Sequence, residues 1–294
     1  MHKIRRAYRE IDTAKNKNVL LKVLSVLLAP IILYRYCVQF AIPYIEMVVT
    51  PKCTLRCVGC SNLMPLYAPG TPHNDINMLK RSIDALLSVS RRITEMKLIG
   101  GEPFMHPHLH EIVRYASQKK QIKKITIITN GTIVPRGENL QCLRRKNITV
   151  NISRYPVVDP MPLINALQDN GVLFHLVEFE AWQDYGNMDQ RGLDTKTLEK
   201  SFAACAAAEC KTVMDGHLFA CPREAHGRAL GLITADFGVA SLLEVPPRQL
   251  KQSIRALYSL PYTPACDYCT PIWQRKEIAC AGQMPAAETE GGAE

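Results

Sequence analysis

Three cysteines in one short loop have a spacing that suits metal ligation. Cys53, Cys57 and Cys60 follow the pattern C-x3-C-x2-C. Thiolates on so short a loop can converge on a cubane cluster, and three of them leave one iron without a protein ligand. A small molecule with an amine and a carboxylate can chelate that iron and accept an electron from it. The alternative is a structural zinc site, for which His73 or Cys37 would be the fourth ligand without ordinary zinc spacing.

A second group of cysteines lies in the C-terminal third of the chain. Its members are Cys205, Cys210, Cys221, Cys266 and Cys269. Their number and spacing allow a four-thiolate site. Such a site holds an iron–sulfur cluster or a structural zinc ion, because C-x2-C spacing is common to both. Cys280 is a spare cysteine.

The hydrophobic pattern predicts the elements that position these groups. Short β-rich runs alternate with helical ones from residue 44 onward. Strands are predicted at residues 45–50, 96–99, 125–128, 148–152 and 173–179. Helices are predicted after an N-cap at Asn74 or Asp75, and at residues 109–116, 140–145, 161–170 and 193–208. This alternation indicates a parallel sheet with right-handed crossovers. We therefore predict an α/β fold, either an open barrel or a doubly wound sheet, although a sixth strand is not evident.

Four segments with special residues follow four different predicted strands. Besides the cysteine loop they are Gly100-Gly101-Glu102-Pro103, Thr129-Asn130-Gly131 and Ser153-Arg154. The carboxyl ends of parallel strands meet at one edge of the sheet, and in α/β folds that edge carries the active site. We expect these segments to share one rim.

On these motifs, residues 44–180 resemble the radical S-adenosylmethionine (radical SAM) superfamily. The resemblance implies a partial (β/α)6 TIM-like open barrel with a small C-terminal iron–sulfur module. It also implies that Cys53, Cys57 and Cys60 hold a [4Fe-4S] cluster that binds S-adenosylmethionine. It also implies a mechanism in which the reduced cluster cleaves the cofactor and the 5′-deoxyadenosyl radical removes hydrogen from a substrate. The implied cofactor contacts are Gly100, Gly101, Glu102, Thr129, Asn130, Ser153 and Arg154. The glycines would let the backbone approach the methionine amino group.

The chain departs from the usual pattern of that family at the position before the third cysteine. The family usually has an aromatic residue before the third cysteine, whereas this chain has Gly59, so Leu63, Met64 or a backbone group would contact adenine.

The C-terminal cysteines resemble the twitch type of auxiliary domain, a shortened SPASM domain. That resemblance implies a second [4Fe-4S] cluster on Cys221, Cys266 and Cys269 with Cys205 or Cys210.

Composition and charge limit the classes of partner. The chain has 294 residues, eleven cysteines and a net charge of +9, with eight basic and two acidic residues among the first 36. The body is close to neutral, so we expect no nucleic-acid binding. We expect a cytoplasmic protein, because clustered cysteines suit metal ligation in a reducing compartment. The apolar run at residues 19–34 is short for a membrane span and fits a packed helix or a helix resting on a membrane surface.

These observations predict four regions. They are a basic and apolar extension (1–43), a radical SAM core (44–190), an auxiliary cluster domain (191–283) and an acidic tail (284–294). The expected partners are a substrate and an electron donor such as flavodoxin or ferredoxin. No segment reads as a peptide-recognition domain, which favours a small-molecule substrate such as a sugar, aminocyclitol or nucleoside. A radical enzyme that modifies a peptide is the alternative, and a zinc protein binding nucleic acid is a distant one.

Several other residues are weaker candidates. His106, His108 and His110 alternate at the predicted start of a helix and are expected to be polar residues there, not metal ligands. Cys37 and Cys142 are expected to be small buried residues. Four residues after the fifth strand are placed to face a substrate or to form a simple loop: Glu178, Trp182, Asp184 and Tyr185.

Overall fold

A computed structural model of the chain describes residues 40–285. Residues from Ile42 onward form one compact unit, and residues 1–41 form another, of which only Phe40 and Ala41 are described. Almost all of the predicted N-terminal extension, including its apolar run and Cys37, therefore lies outside the described residues, as do residues 286–294 of the predicted tail.

The core of the second unit is a sheet of eight strands within the described residues. The strands are β1 (Ile42–Thr50), β2 (Ile93–Gly100), β3 (Ile122–Thr129), β4 (Ile148–Arg154), β5 (Phe174–Glu178), β7 (Thr212–Met214), β8 (His217–Phe219) and β9 (Val239–Ser241). Their order is β5-β4-β3-β2-β1-β7-β8-β9. Strands β1 to β5 are parallel neighbours in chain order, so their carboxyl ends form one rim as predicted.

Helices cover the parallel strands and extend into the C-terminal part. They are α1 (Ile76–Val89), α2 (Leu109–Gln118), α3 (Gly137–Gln141), α4 (Met161–Asp169), α5 (Thr195–Ala204), α6 (Pro222–Ala229) and α7 (Pro247–Tyr258). Helix α1 begins where the sequence predicts, because Asp75 is its N-cap and accepts a hydrogen bond of 2.6 Å from the Met78 N–H. Its buried face includes Leu79, Ile83 and Leu86, at helical spacing.

The sixth parallel strand does not lie next to β5, where a barrel built in chain order would place it. It lies next to β1, on the other side of the parallel strands. Strand β7 pairs with β1, with Glu46 opposite Thr212 and Met47 opposite Val213. Strands β8 and β9 then continue antiparallel. The predicted α/β class with an open parallel barrel is confirmed, and the C-terminal part extends its sheet. A domain boundary near residue 190 stays a prediction.

The last described strand returns the chain to the rim. Strand β10 (Glu277–Ile278) pairs antiparallel with β6 (Trp182–Gln183), which follows β5. This two-stranded sheet brings the C-terminal segment close to the strand ends that carry the special residues. Within residues 40–285, every helix is too short or too polar to cross a bilayer.

Candidate active site

The cysteine loop follows β1 and opens onto a large cavity at the rim. Cys57 is buried, and Cys53 and Cys60 are partly buried. All three line a cavity of about 640 Å³ together with Gly100, Gly101 and further residues from the ends of β3 and β4. The structure therefore brings the predicted segments to one space, whose size suits a nucleotide-sized ligand and a second small molecule.

The two glycines of the Gly-Gly-Glu-Pro turn pack against the cysteine loop itself. The Gly101 N–H donates to the Thr50 carbonyl at 2.9 Å, and the Glu102 N–H donates to the Lys52 carbonyl at 2.8 Å. A Cβ at Gly100 would lie 2.1 Å from the Thr50 oxygen, and one at Gly101 would lie 2.3 Å from the Lys52 oxygen. Glycine is required here so that the end of β2 can approach the loop backbone.

Glu102 supports the site from behind instead of facing the cavity. It is fully buried, and its carboxylate accepts hydrogen bonds from Thr129 Oγ1 at 2.9 Å and from the Asn130 N–H at 2.8 Å. The Phe104 N–H donates a third bond at 3.0 Å. Burial raises the pKa of Glu102 to about 7, although these donors act in the opposite direction. Glu102 was predicted to contact the cofactor, but its carboxylate oxygens already accept hydrogen bonds that connect the end of β2 to β3.

Asn130 connects the third strand to the first cysteine. Its Nδ2 donates to Thr54 Oγ1 at 3.0 Å and lies 3.6 Å from Cys53 Sγ. Its Oδ1 accepts from the Thr132 N–H at 3.0 Å. Thr129 and Asn130 both line the cavity.

Only one of the two predicted residues at the end of β4 faces the cavity. Ser153 is buried and lines it. The Arg154 guanidinium points elsewhere and forms an ion pair of 2.6 Å with Glu178, and both side chains are more than half exposed. Successive residues of a strand point to opposite faces, so the two could not both contact a cofactor. Glu178 accordingly lies outside the cavity as well.

The surroundings of the three thiols determine how readily they lose a proton. Burial raises the pKa of Cys53 to about 11 and also raises the pKa values of Cys57 and Cys60. A raised pKa favours the protonated thiol. A bound metal reverses this preference, because a coordinating thiol is deprotonated. The loop already supplies donors for the resulting charge, including the Leu55 N–H at 3.4 Å from Cys53 Sγ. The donor set therefore fits an iron–sulfur cluster.

The second cysteine set is also gathered in one place. A separate small cavity is lined by Cys205, Cys221, Cys266 and Cys269. The Arg275 guanidinium lies 3.8 Å from Cys205 Sγ. Burial raises the pKa values of Cys221, Cys269 and Cys266, the last to about 12. Four thiols from three different segments around one cavity are a donor set that fits a second cluster.

Cys210 does not join that set. It lines the large cavity next to Glu46 and Tyr44 on β1. Burial, and then the Glu46 charge, raise its pKa to about 12. Of the two alternatives for the first auxiliary ligand, the structure places Cys205 with the other cysteines. Cys280 and Cys142 line neither cavity and donate to the carbonyls of Phe179 and Asn139.

Arg223 lies between the two cysteine sets, although no sequence motif indicates it. It is 3% exposed and lines both cavities. Its charge lowers the pKa values of Cys60 and Cys269, one cysteine from each set, against the larger effect of burial. Its Nη2 donates to the Gly186 carbonyl at 3.0 Å, while its buried Nε has no protein partner among the described residues.

The lower part of the large cavity has a polar floor, which no sequence motif indicates either. We define it as Glu46, Lys97, Asn151 and Cys210, which all line the cavity. The buried Oδ1 of Asn151 has no hydrogen-bond partner among the described residues. Glu46 is almost fully buried, which raises its pKa despite its hydrogen bond with Tyr44 and the Lys97 charge. Polar residues inside otherwise apolar strands were the available signal.

Aromatic residues form the upper wall. Tyr155 packs against Trp182 and Phe179, with ring centroids 5.4 and 6.0 Å away. Trp182 and Tyr185 line the cavity as the sequence suggested, as does Met64. Leu63 and Asp184 do not line it, and Asp184 accepts a hydrogen bond from the Gly186 N–H.

The three alternating histidines lie outside the large cavity. His106 is buried, and its Nδ1 accepts from the His108 N–H at 3.1 Å at the start of α2. Ligand atoms of His108, His110 and Glu111 lie within 4.8 Å of one another. Glu111 is also paired with Lys80 at 2.8 Å, and His110 lies 3.1 Å from Glu138. These polar contacts suit a helix start.

Comparison with known proteins gives the family of the core. Residues 47–153 match the Radical SAM superfamily. The chain is 34% identical over 106 residues to the antilisterial bacteriocin subtilosin biosynthesis protein AlbA of Bacillus subtilis, covering 35% of this chain and 22% of that protein. It is 28% identical over 112 residues to a GTP 3′,8-cyclase of Clostridium acetobutylicum, covering 38% of this chain and 35% of that one.

A solved structure with wider coverage is BtrN in complex with AdoMet and 2-DOIA. The two structures align over 84% of this chain and all of the BtrN chain, with 14% sequence identity and a TM-score of 0.49. The chain spans about a fifth to a third of the length of the curated relatives it matches. The predicted family is confirmed for the core: residues 47–153 are a radical SAM domain, and members of this family are enzymes.

Proposed function

We propose that this radical SAM domain and the C-terminal cysteine set together form an enzyme that cleaves S-adenosylmethionine and removes hydrogen from a small-molecule substrate. When bound, the cluster and the cofactor supply a 5′-deoxyadenosyl radical. Cys53, Cys57 and Cys60 would hold that cluster, and Cys205, Cys221, Cys266 and Cys269 a second one. A small redox protein such as flavodoxin or ferredoxin would provide the electron.

One observation carries this proposal. The cysteine loop, the strand ends and the polar floor all line a single cavity of about 640 Å³. Gly101, Asn130 and Ser153 would contact the cofactor near the loop, while Glu102 holds β2 and β3 in register behind them. Tyr155 and Trp182 form an aromatic wall that helps to exclude water from the reacting groups.

The polar floor supports a substrate with hydroxyl or amino groups. Asn151 Oδ1 lacks a donor, Glu46 offers a buried carboxylate, and Lys97 supplies a positive charge. An apolar substrate would leave the Asn151 Oδ1 unpaired, at a cost of about 1–3 kcal/mol. Sugars, aminocyclitols and nucleosides have the matching chemistry, and the sequence similarity to GTP 3′,8-cyclases agrees with a nucleoside-like molecule. Whether the product is dehydrogenated, epimerised or otherwise modified depends on the substrate.

A peptide substrate is the second candidate. It is supported by the 34% identity over 106 residues to AlbA, a bacteriocin biosynthesis protein. The polar floor would then receive one polar side chain of the peptide. The two candidates are separated by incubating the enzyme with nucleosides, amino sugars and Ser- or Asn-containing peptides and following deuterium loss from labelled substrate into 5′-deoxyadenosine.

The central claim is tested by metal analysis and cofactor cleavage after anaerobic purification. We expect about eight iron atoms per chain, from two four-iron clusters, and release of 5′-deoxyadenosine with dithionite and S-adenosylmethionine. Replacing Cys53, Cys57 and Cys60 by alanine should remove that release and about half of the iron. Cys142→Ala is the matched control, because Cys142 is buried but lines neither cavity. Cofactor cleavage by the triple variant, or zinc in place of iron, would contradict the proposal.

A further inference from the structure

The end of the described chain is built into the cysteine loop. We call residues 277–284 the strap. It runs antiparallel to the loop, with Gln283 opposite Cys57 in a β-bridge. The Val58 N–H donates to the Gly282 carbonyl at 2.6 Å, and the Met284 N–H donates to the Arg56 carbonyl at 2.8 Å. More than 200 residues separate the partners in sequence, so only the tertiary fold makes this contact.

The side chain of Gln283 is held at both ends of its amide. Its Oε1 accepts from the Arg56 N–H at 2.8 Å. Its Nε2 donates to the Ala281 carbonyl at 2.6 Å and to Cys57 Sγ at 3.4 Å. The Arg56 N–H can only donate, which fixes the amide oxygen toward the backbone and the NH₂ group toward the sulfur.

A second strap residue fills the space above Gly59. Gly59 has a φ of +67°, and a Cβ there would lie 2.3 Å from Ile278 Cδ1. Ile278 is fixed by its pairing with Trp182, a residue of the aromatic wall of the large cavity. The loop is therefore covered by the strap at the position next to Cys60, where the sequence has no side chain of its own.

We propose that the strap is part of the cluster site and that Gln283 is a positioning residue for Cys57. This inference rests on the proposed function, since it concerns a cluster held by Cys53, Cys57 and Cys60. An N–H···S hydrogen bond stabilises a thiolate more strongly when the cluster carries more negative charge, which is the reduced state. Hydrogen bonds to the sulfurs are one of the factors that set cluster potentials. Gln283 therefore raises the reduction potential and makes the first electron transfer easier.

The test compares holoenzymes in which only the donor is changed. Gln283→Glu keeps the length of the side chain, removes the NH₂ group and adds a negative charge, and Gln283→Ala removes the amide. Gln141→Glu is the control, because it makes the same exchange at an exposed position on α3 that lines neither cavity. Redox titration monitored by electron paramagnetic resonance gives the midpoint potential, and iron analysis gives the occupancy. The signal of the cysteine-loop cluster is identified by its change when S-adenosylmethionine is added.

We expect Gln283→Glu to lower the ratio of reduced to oxidised cluster about tenfold at a fixed potential, which is about 59 mV for one electron. Gln283→Ala should lower it less, and Gln141→Glu should leave it unchanged. Equal potentials in all three variants with iron retained would overturn the inference. A wild-type protein without iron would instead contradict the proposed function, so the two failures are distinguishable.

A second measurement does not depend on the cluster potential. We expect a chain that ends after Lys276 to show at least tenfold faster hydrogen exchange at the Val58 amide than the full chain, because the Gly282 acceptor is gone. A chain that ends after Pro285 keeps the strap and should match the full chain. Unchanged protection in the shorter chain would show that the strap does not hold the loop, and would overturn the inference.

Discussion

Replacing Gly101 by alanine tests why the Gly-Gly-Glu-Pro turn contains glycine. The new Cβ would lie 2.3 Å from the Lys52 carbonyl oxygen and 2.6 Å from Cys53 Cβ. Ordinary contacts begin at 3.4 Å, so the overlap is about 1 Å. The nearest atom belongs to the backbone and cannot rotate away, so the cysteine loop itself must move.

The size of that movement decides the outcome. Metal–ligand distances tolerate deviations of about 0.2 Å, several times less than the overlap. Overpacking of this kind costs about 1–3 kcal/mol, which a folded domain can survive. We therefore expect Gly101→Ala to remain folded, to lose most of the iron bound by Cys53, Cys57 and Cys60, and to keep the iron of the auxiliary site.

The assay is iron and sulfide analysis together with the paramagnetic resonance signal of the reduced cluster and S-adenosylmethionine binding by calorimetry. Gly70→Ala is the control, because no atom lies within 4 Å of the position of its Cβ. If Gly101→Ala kept all its iron and lost only cofactor binding, the glycine would serve the approach of the methionine group. The packing explanation would then be refuted.

Two further predictions follow from the placement of single side chains. Cys205→Ala should remove about half of the iron while Cys210→Ala leaves the iron content unchanged, and equal losses in metal analysis would contradict the separation of the two thiols. His226 is fully buried beside Tyr67, and burial lowers its pKa from 6.5 to about 3. The unfolded chain therefore takes up the proton first, and the free energy of unfolding should fall as pH drops below 6.5, by about 1.4 kcal/mol per pH unit. Thermal unfolding at pH 7.0 and 5.5 should show a smaller loss in His226→Gln, and an equal loss in both proteins would exclude His226 as the cause.

Much of the radical SAM core was predictable, because its signals are local. The strand before Cys53 and the helix that begins after Asp75 follow from hydrophobic periodicity and one capping side chain. The rim position of the motifs follows from the rule that parallel strands end together. Arg223 was not predictable, since it follows an auxiliary cysteine and reaches the large cavity only through the packing of α6.

Glu102 and Arg154 contact other groups than the sequence predicted. Glu102 was expected at the cofactor, but three donors from its own turn and from β3 already occupy its carboxylate. Arg154 was expected there too, but the alternation of strand side chains directs it to Glu178 on the outer face. Neither outcome is visible in the motif, because a motif records residue types and not the face each side chain occupies.

The sequence by itself determined the radical SAM motifs and the rim at which they meet, because ligand spacing and strand periodicity are properties of short segments. Tertiary structure decided which thiols share a cavity, placing Cys205 with the auxiliary set and Cys210 on the polar floor. It also decided that Gln283 donates to Cys57 across 226 positions of sequence. These contacts depend on how distant segments pack, and packing is a property of the whole fold.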